Sequence, residues 1–203
     1  KLSQTSNNIF LNEKLLARVK SIYDKKEQLN LSTEDAKLLE DLYESFKANG
    51  ATLNKDDKEK YRKLSMDLSM LTLQFDQNAL KDKNRFELLI TDENELSGLP
   101  ESARDAAAML AKSKDKDGWL FNLSAPSYIP FMRYSDKRDL REKMYREYMS
   151  VGNKGDEFDN KDIIKKIVNI RLEIAQLMGF KNYAEYALEH TMAKNSANVY
   201  KFC

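Results

Sequence analysis

Apolar residues recur at three- and four-residue spacings along most of this chain, the period that places side chains on one face of an α-helix. Leu11, Leu15, Val19, Ile22 and Tyr23 share such a face, which predicts a first helix beginning near Asn12 and ending before Leu31. Ser32, followed three positions later by Asp35, resembles a capping box in which Asp stands for the usual Glu or Gln. Behind it Leu38, Leu39, Leu42, Tyr43 and Phe46 form the stripe of a second helix, closed by Gly50. A longer helix is predicted from Asn54 to about Leu80, with Tyr61, Leu64, Leu68, Leu71 and Phe75 on its buried side. The connections around Asn30 and Ala51 are short, so residues 1–80 are expected to fold as an antiparallel three-helix bundle.

The pattern then changes. Residues 86–90 (FELLI) and 119–123 (WLFNL) are apolar or alternating runs without helical length, and both read as strands. Between them Pro100 stands where the first turn of a helix tolerates proline, and 103–111 (ARDAAAMLA) has high helix propensity. Residues 81–125 therefore read as strand, helix, strand. Pro126 and Pro130 punctuate a short segment, and 136–149 follows as a charged helix striped by Leu140, Met144, Tyr145 and Tyr148 and ended by Gly152 and Gly155. Asp159 or Asn160 caps the next helix, whose stripe is Ile163, Ile164, Ile167, Ile170, Ile174 and Leu177 and whose terminator is Gly179. A last complete helix is expected over 183–189, and Ser196 is expected to cap one that has barely begun. The predicted fold is mainly α: an antiparallel helical bundle with a small two-stranded β element. It is read as a single helical region over 1–203, in the stretches 1–80, 81–125 and 126–203.

Composition supports a folded chain: 41% of the 203 residues are hydrophobic and 33% charged, with only 6 Gly and 3 Pro. Lys and Arg number 34 against 33 Asp and Glu, and the signs interleave, as in 54–63 (NKDDKEKYRK). The net charge of +1 thus provides no field for nucleic acid or an anionic membrane, and neither is expected as a partner. The single cysteine, Cys203, excludes an internal disulfide framework and any CxxC pair. No run approaches the ~18 apolar residues of a membrane span, and the opening KLSQTSNN lacks the apolar core of a signal peptide. A soluble chain is expected, with cytoplasm and periplasm both open. The start at Lys1 rather than Met, and the stop soon after Ser196, are read as unnatural ends.

Of the common chemical motifs, GxGxxG, GxxxxGK[ST], GxSxG and HExxH are all absent from the sequence. A thermolysin-type zinc site needs two histidines one helical turn apart, and His190 is the only histidine. No catalytic, cofactor-binding or metal-ligating residue is assigned. Glu189–His190 admits a lone acid/base pair or half a metal site, but a helix-end histidine facing free carbonyls is the preferred reading. Phe86, Trp119 and Phe121 admit an aromatic RNA platform, yet no clustered Lys and Arg accompany them, so core packing is preferred. Residues 127–134 (SYIPFMRY) bring aromatics, Met and Arg together as a candidate peptide-binding surface, against the plainer reading of a packed connector.

Several segments carry more than periodicity. They are YESFKANGATL (43–53), LTLQFDQNAL (71–80), ELSGLPESARDAAA (95–108), GWLFNLSAPSYIPFMRYSDKRDLREKMYREYMSVGN (118–153) and DNKDIIKKIVNIRLEIAQLMGFKNYAEYALEHTMAKNSANV (159–199). Together they resemble the N-terminal part of the thimet oligopeptidase and peptidyl-dipeptidase family of zinc metallopeptidases. The likeness is read as greatest to the bacterial peptidyl-dipeptidases, and MGFKNYAEYALEHTMAK is its most specific stretch.

The resemblance implies the N-terminal helical domain of a larger α-helical metallopeptidase, truncated before its catalytic zinc half. In that family zinc is held by HExxH and a further Glu on later helices, and the motif Glu activates the metal-bound water. The resemblance further implies a deep channel, of which regions like this one form a wall, admitting short peptides; dipeptidyl members release dipeptides from the peptide C-terminus. The fragment itself is expected to be inactive and without cofactor, to lack its catalytic half as partner, and to show some self-association. A free-standing helical protein-interaction module stays open as a second reading.

Overall fold

Asn12 caps a helix as its spacing predicts, its side chain accepting the backbone N–H groups of Lys14 and Leu15, but that helix is not the first. The computed structural model describes residues 2–203, and within them α1 (Leu2–Phe10) precedes α2 (Glu13–Tyr23). Periodicity misses α1 because its Ser, Thr and Asn residues compete with the helical backbone and favour caps and turns. Tertiary contacts hold it instead. Asn7 is buried and accepts a hydrogen bond from Ser65 Oγ at 3.3 Å, and the Phe10 ring meets Phe46 edge-on at 5.3 Å.

The chain folds into two compact units, one formed by residues up to Thr72 together with Lys165–Cys203, the other by Leu73–Ile164. In the first unit, α3 (Thr33–Ala48) starts at Ser32, whose Oγ accepts the Asp35 N–H at 3.1 Å while its hydroxyl donates to the Asp35 carboxylate at 2.7 Å. That is half a capping box, the short Asp side chain engaging the hydroxyl. Gly50 follows the helix at φ +80°, as its place past the end requires. Next comes α4 (Lys55–Arg85), which ends five residues beyond the point that periodicity indicates. Leu11, Tyr61, Leu64 and Ile174 are the buried centre of this unit, with Leu53, Leu68, Ile170 and Leu177 packed against them.

In the second unit β1 (Leu88–Ile90) pairs antiparallel with β2 (Trp119–Phe121), Ile90 opposite Trp119 and Leu88 opposite Phe121. Both strands are shorter than the runs that predict them. Leu88 and Ile90 point inward and Leu89 outward, the period-two pattern of a half-buried strand. Pro100 occupies the N-cap of α5 (Glu101–Lys112), which packs against β2 and buries the small side chains of Ala107 and Ala111.

Residues 125–134 are not the punctuated connector expected of them. They form α6 (Ala125–Tyr134), with Pro126 in the first turn, where a missing N–H costs little, and Pro130 inside the helix. After it α7 (Arg138–Met149) begins two residues later than predicted, because Asp136 is held back: its N–H donates to the Ser97 carbonyl at 2.9 Å and its carboxylate accepts Ser97 Oγ at 2.6 Å. Phe121 and Phe131 meet edge-on at 4.8 Å in a core that also contains Ile90, Leu96, Leu123 and Met144.

The open choice between Asp159 and Asn160 resolves as a division of labour at the start of α8 (Lys161–Leu177). The Asp159 carboxylate accepts the Lys161 N–H at 2.9 Å, whereas buried Asn160 turns to α4, accepting from Asn78 Nδ2 at 3.1 Å and donating to the Phe75 carbonyl at 3.0 Å. Ile164, predicted in the buried stripe, is 46% exposed, while Ile163, Ile167 and Ile174 are buried. At the far end Phe180 N–H returns to Ala175 O at 2.8 Å and Gly179 N–H to Gln176 O at 3.0 Å, a Schellman motif with Gly179 at φ +86°. Two short helices finish the chain, α9 (Tyr183–Leu188) and α10 (Ser196–Phe202). Ser196 is not the cap: Asn195 accepts the Asn198 N–H at 2.9 Å, and Ser196 opens the helix. Among the described residues the architecture is mainly α with one small two-stranded sheet.

Candidate functional site

The predicted aromatic segment lies within α6, where its side chains divide between core and surface. Phe131 is fully buried and Tyr128 and Met132 pack against the core, whereas Ile129 and Tyr134 are exposed. Tyr128 stacks on Tyr148 of α7 with centroids 4.3 Å apart, and burial raises the Tyr128 hydroxyl above its ordinary pKa. Phe86 and Phe121 are buried, and Trp119 packs partly buried against the same core, so these aromatics are structural.

Beside Met132 lies an open hollow of about 400 Å³ bordered by Arg138, Arg141, Glu142, Tyr145 and Arg146. All five sit on one face of α7, at offsets of three or four residues. Arg146 grips Glu142 through Nε at 2.8 Å and Nη2 at 2.7 Å. The half-buried Arg141 donates from Nη1 to the Ser135 carbonyl, which fixes its guanidinium against the α6–α7 turn. Sequence reasoning does not single out this group. The signal is present in RDLREKMYRE (138–147), whose helical spacing puts three arginines on one side.

In the other unit, a smaller hollow of about 180 Å³ is bordered by Glu44, Lys47, Phe180, Tyr186, Glu189 and His190, among others. Tyr186 donates its hydroxyl to the Ala48 carbonyl at 2.7 Å, and burial is the main cause holding both Tyr186 and Tyr61 above the ordinary tyrosine pKa. For His190, which its sequence position reads as a helix-end histidine, the structure shows a carboxylate neighbour and no hydrogen bond to a carbonyl among the described residues. His190 follows α9 in a turn, half exposed, with Nε2 3.4 Å from the Glu189 carboxylate. The helix ends at Leu188, so His190 lies beyond its last turn rather than within it.

Zinc, implied by the resemblance for the whole enzyme, does not fit the residues at hand. Among those described, no group of three or more His, Cys, Asp or Glu side chains converges, and the sole imidazole has a single carboxylate beside it. Nor is any helix among them long and apolar enough to cross a membrane.

Residues 131–203 match the family model for Peptidase family M3. Over 99% of its length the chain is 36% identical to Oligopeptidase A of Salmonella typhimurium, covering 30% of that protein. It is 32% identical to the Dipeptidyl carboxypeptidase of Escherichia coli over the same shares of both chains. Against the Probable cytosolic oligopeptidase A of Arabidopsis thaliana it is 38% identical over 86% of this chain and 26% of that one. The chain thus spans less than a third of the length of these curated relatives, and the oligopeptidases match at higher identity than the dipeptidyl carboxypeptidase. Residues 131–203 thus carry the signature of Peptidase family M3, and nearly the whole chain is similar to the N-terminal part of an oligopeptidase and a dipeptidyl carboxypeptidase, as the resemblance carried by its segments implied.

Proposed function

We propose that this chain is a non-catalytic scaffold and substrate-channel region of a zinc-dependent peptidase that hydrolyses short peptides, with the catalytic half supplied by other residues of a longer protein. The observation that carries this reading is the similarity to oligopeptidase and dipeptidyl carboxypeptidase over 99% of the chain, in a sequence with one histidine. Zinc in such an enzyme supplies an activated water. The role assigned to this chain is to shape access, bind peptide and exclude water from the channel. The products assigned are dipeptides released from the peptide C-terminus, a reading supported by the dipeptidyl carboxypeptidase likeness. Reading the gene beyond Cys203 tests the proposal: an open frame continuing through HExxH is expected.

The second reading, a free-standing helical interaction module, draws on apolar side chains left in solvent, among them Leu38 at 65% and Met70 at 60% exposure. A gene ending near Cys203 would favour it over the first.

A further inference from the structure

The hollow between α6 and α7 carries more positive charge than its surroundings consume. Three guanidiniums border it against one carboxylate, and that carboxylate is engaged by Arg146 through two nitrogens. Two cationic groups are left for the space. Arg141 is oriented by the Ser135 carbonyl, a neutral acceptor that leaves its charge uncompensated and its remaining N–H donors for another partner. Arg138 has no ion-pair partner among the described residues and lies in the first turn of α7, where Lys137 offers no side-chain cap to the helix N–H groups.

The walls complete the chemistry. Met132 and Tyr145 bring an adaptable thioether and an aromatic face to the same space, and about 400 Å³ lies in the size range of small-ligand sites. A guanidinium binds a carboxylate through two parallel N–H···O bonds, and an apolar wall beside it takes the neighbouring side chain.

We infer that this hollow binds the carboxylate of a short peptide, with an adjoining apolar or aromatic side chain laid on Met132 and Tyr145. The inference rests on the proposed peptide-channel role, and it names the substrate feature that role would select: a free carboxylate one residue from an apolar group. Recognition here is binding alone, without a chemical step.

The test is titration of the 203-residue chain with acetyl-Phe-Glu and with its uncharged counterpart acetyl-Phe-Gln-amide, followed by calorimetry and by the Tyr145 ring resonances. Acetyl-Phe-Glu is expected to bind and to shift Tyr145, the diamide to bind at least about tenfold more weakly, and added salt to weaken the first selectively. Arg138→Ala, an exposed substitution expected to keep the melting temperature, should remove most of the preference, and Arg138→Glu should abolish it. Equal binding of the two peptides, an unchanged preference in both variants, or uptake of inorganic phosphate but not of acetyl-Phe-Glu would each overturn the inference. None of these readouts involves turnover, so the peptidase reading can fail by the gene's sequence while this binding stands, and the reverse.

Discussion

The carboxylate of Asp82, fully buried on α4, accepts the backbone N–H of Gly152 at 2.7 Å. Lys154 Nζ at 3.1 Å and Arg85 Nε at 2.7 Å share the other oxygen. A charge without solvent is tolerated only when it is paired, and this one ties α4 to the loop in which α7 ends. Asp82→Ala is therefore expected to destabilise the fold by about 3 kcal/mol, the low end for a broken buried pair because both cations are partly solvated. Urea unfolding measures it; a loss below about 1 kcal/mol would show that the pairing contributes little.

The edge-on pair of Phe121 and Phe131 sits where β2, α6 and α7 meet. Phe131→Ala leaves a cavity in a fully buried site and should cost about 3–5 kcal/mol, whereas Phe131→Leu should cost markedly less. Thermal unfolding of the two variants compares them directly.

Two glycines with left-handed backbones make a contrasting pair. A Cβ at Gly98, φ +82°, would fall 2.1 Å from the Tyr134 carbonyl, while one at Gly155, φ +71°, meets nothing within 4 Å. Gly98→Ala is expected to cost about 2 kcal/mol or more, from clash and backbone strain together, and Gly155→Ala about 1 kcal/mol from strain alone. Equal losses in chemical denaturation would contradict the close approach at Gly98.

Acid should weaken the fold in a defined direction. Hydrogen bonds from Lys114 and Lys116 hold the Glu87 carboxylate below its ordinary pKa, and the Arg85 guanidinium does the same for Asp156. A carboxylate depressed on folding adds stability that is complete above its unfolded pKa and is lost as pH falls through the folded value. Unfolding midpoints measured from about pH 6 down to about pH 3 should therefore fall, and less steeply in Glu87→Gln. The difference will be small, because these contacts lie at the solvent-exposed surface.

Much of the fold is legible in the sequence because helix ends are written in local chemistry: Asn12, Ser32, Gly50 and Gly179 mark their boundaries by side-chain size and polarity alone. What escapes depends on contacts distant in sequence. The polar helix α1 is held by Ser65 and Phe46, and α6 forms despite Pro130 with Phe131 anchored in the core. Apolar periodicity also overstates burial, for Leu38 and Leu42 lie on a predicted core stripe yet remain in solvent. The arginine hollow escapes for a different reason: its residues read as an ordinary charged helix face until α6 places Met132 beside them.

Exposed apolar residues such as Leu38, Met70 and Val168 are expected to drive concentration-dependent self-association of the isolated chain. Sedimentation velocity over a hundredfold concentration range is the check, and a single monomeric species throughout would contradict it.

On the proposed role, the 203-residue chain shapes and binds but does not carry the peptidase chemistry. Purified chain, dialysed against zinc and incubated with a short unstructured peptide, tests it most directly by metal content and product chromatography. Neither stoichiometric zinc nor new peptide products are expected; metal-dependent cleavage by this chain alone would contradict the proposed role.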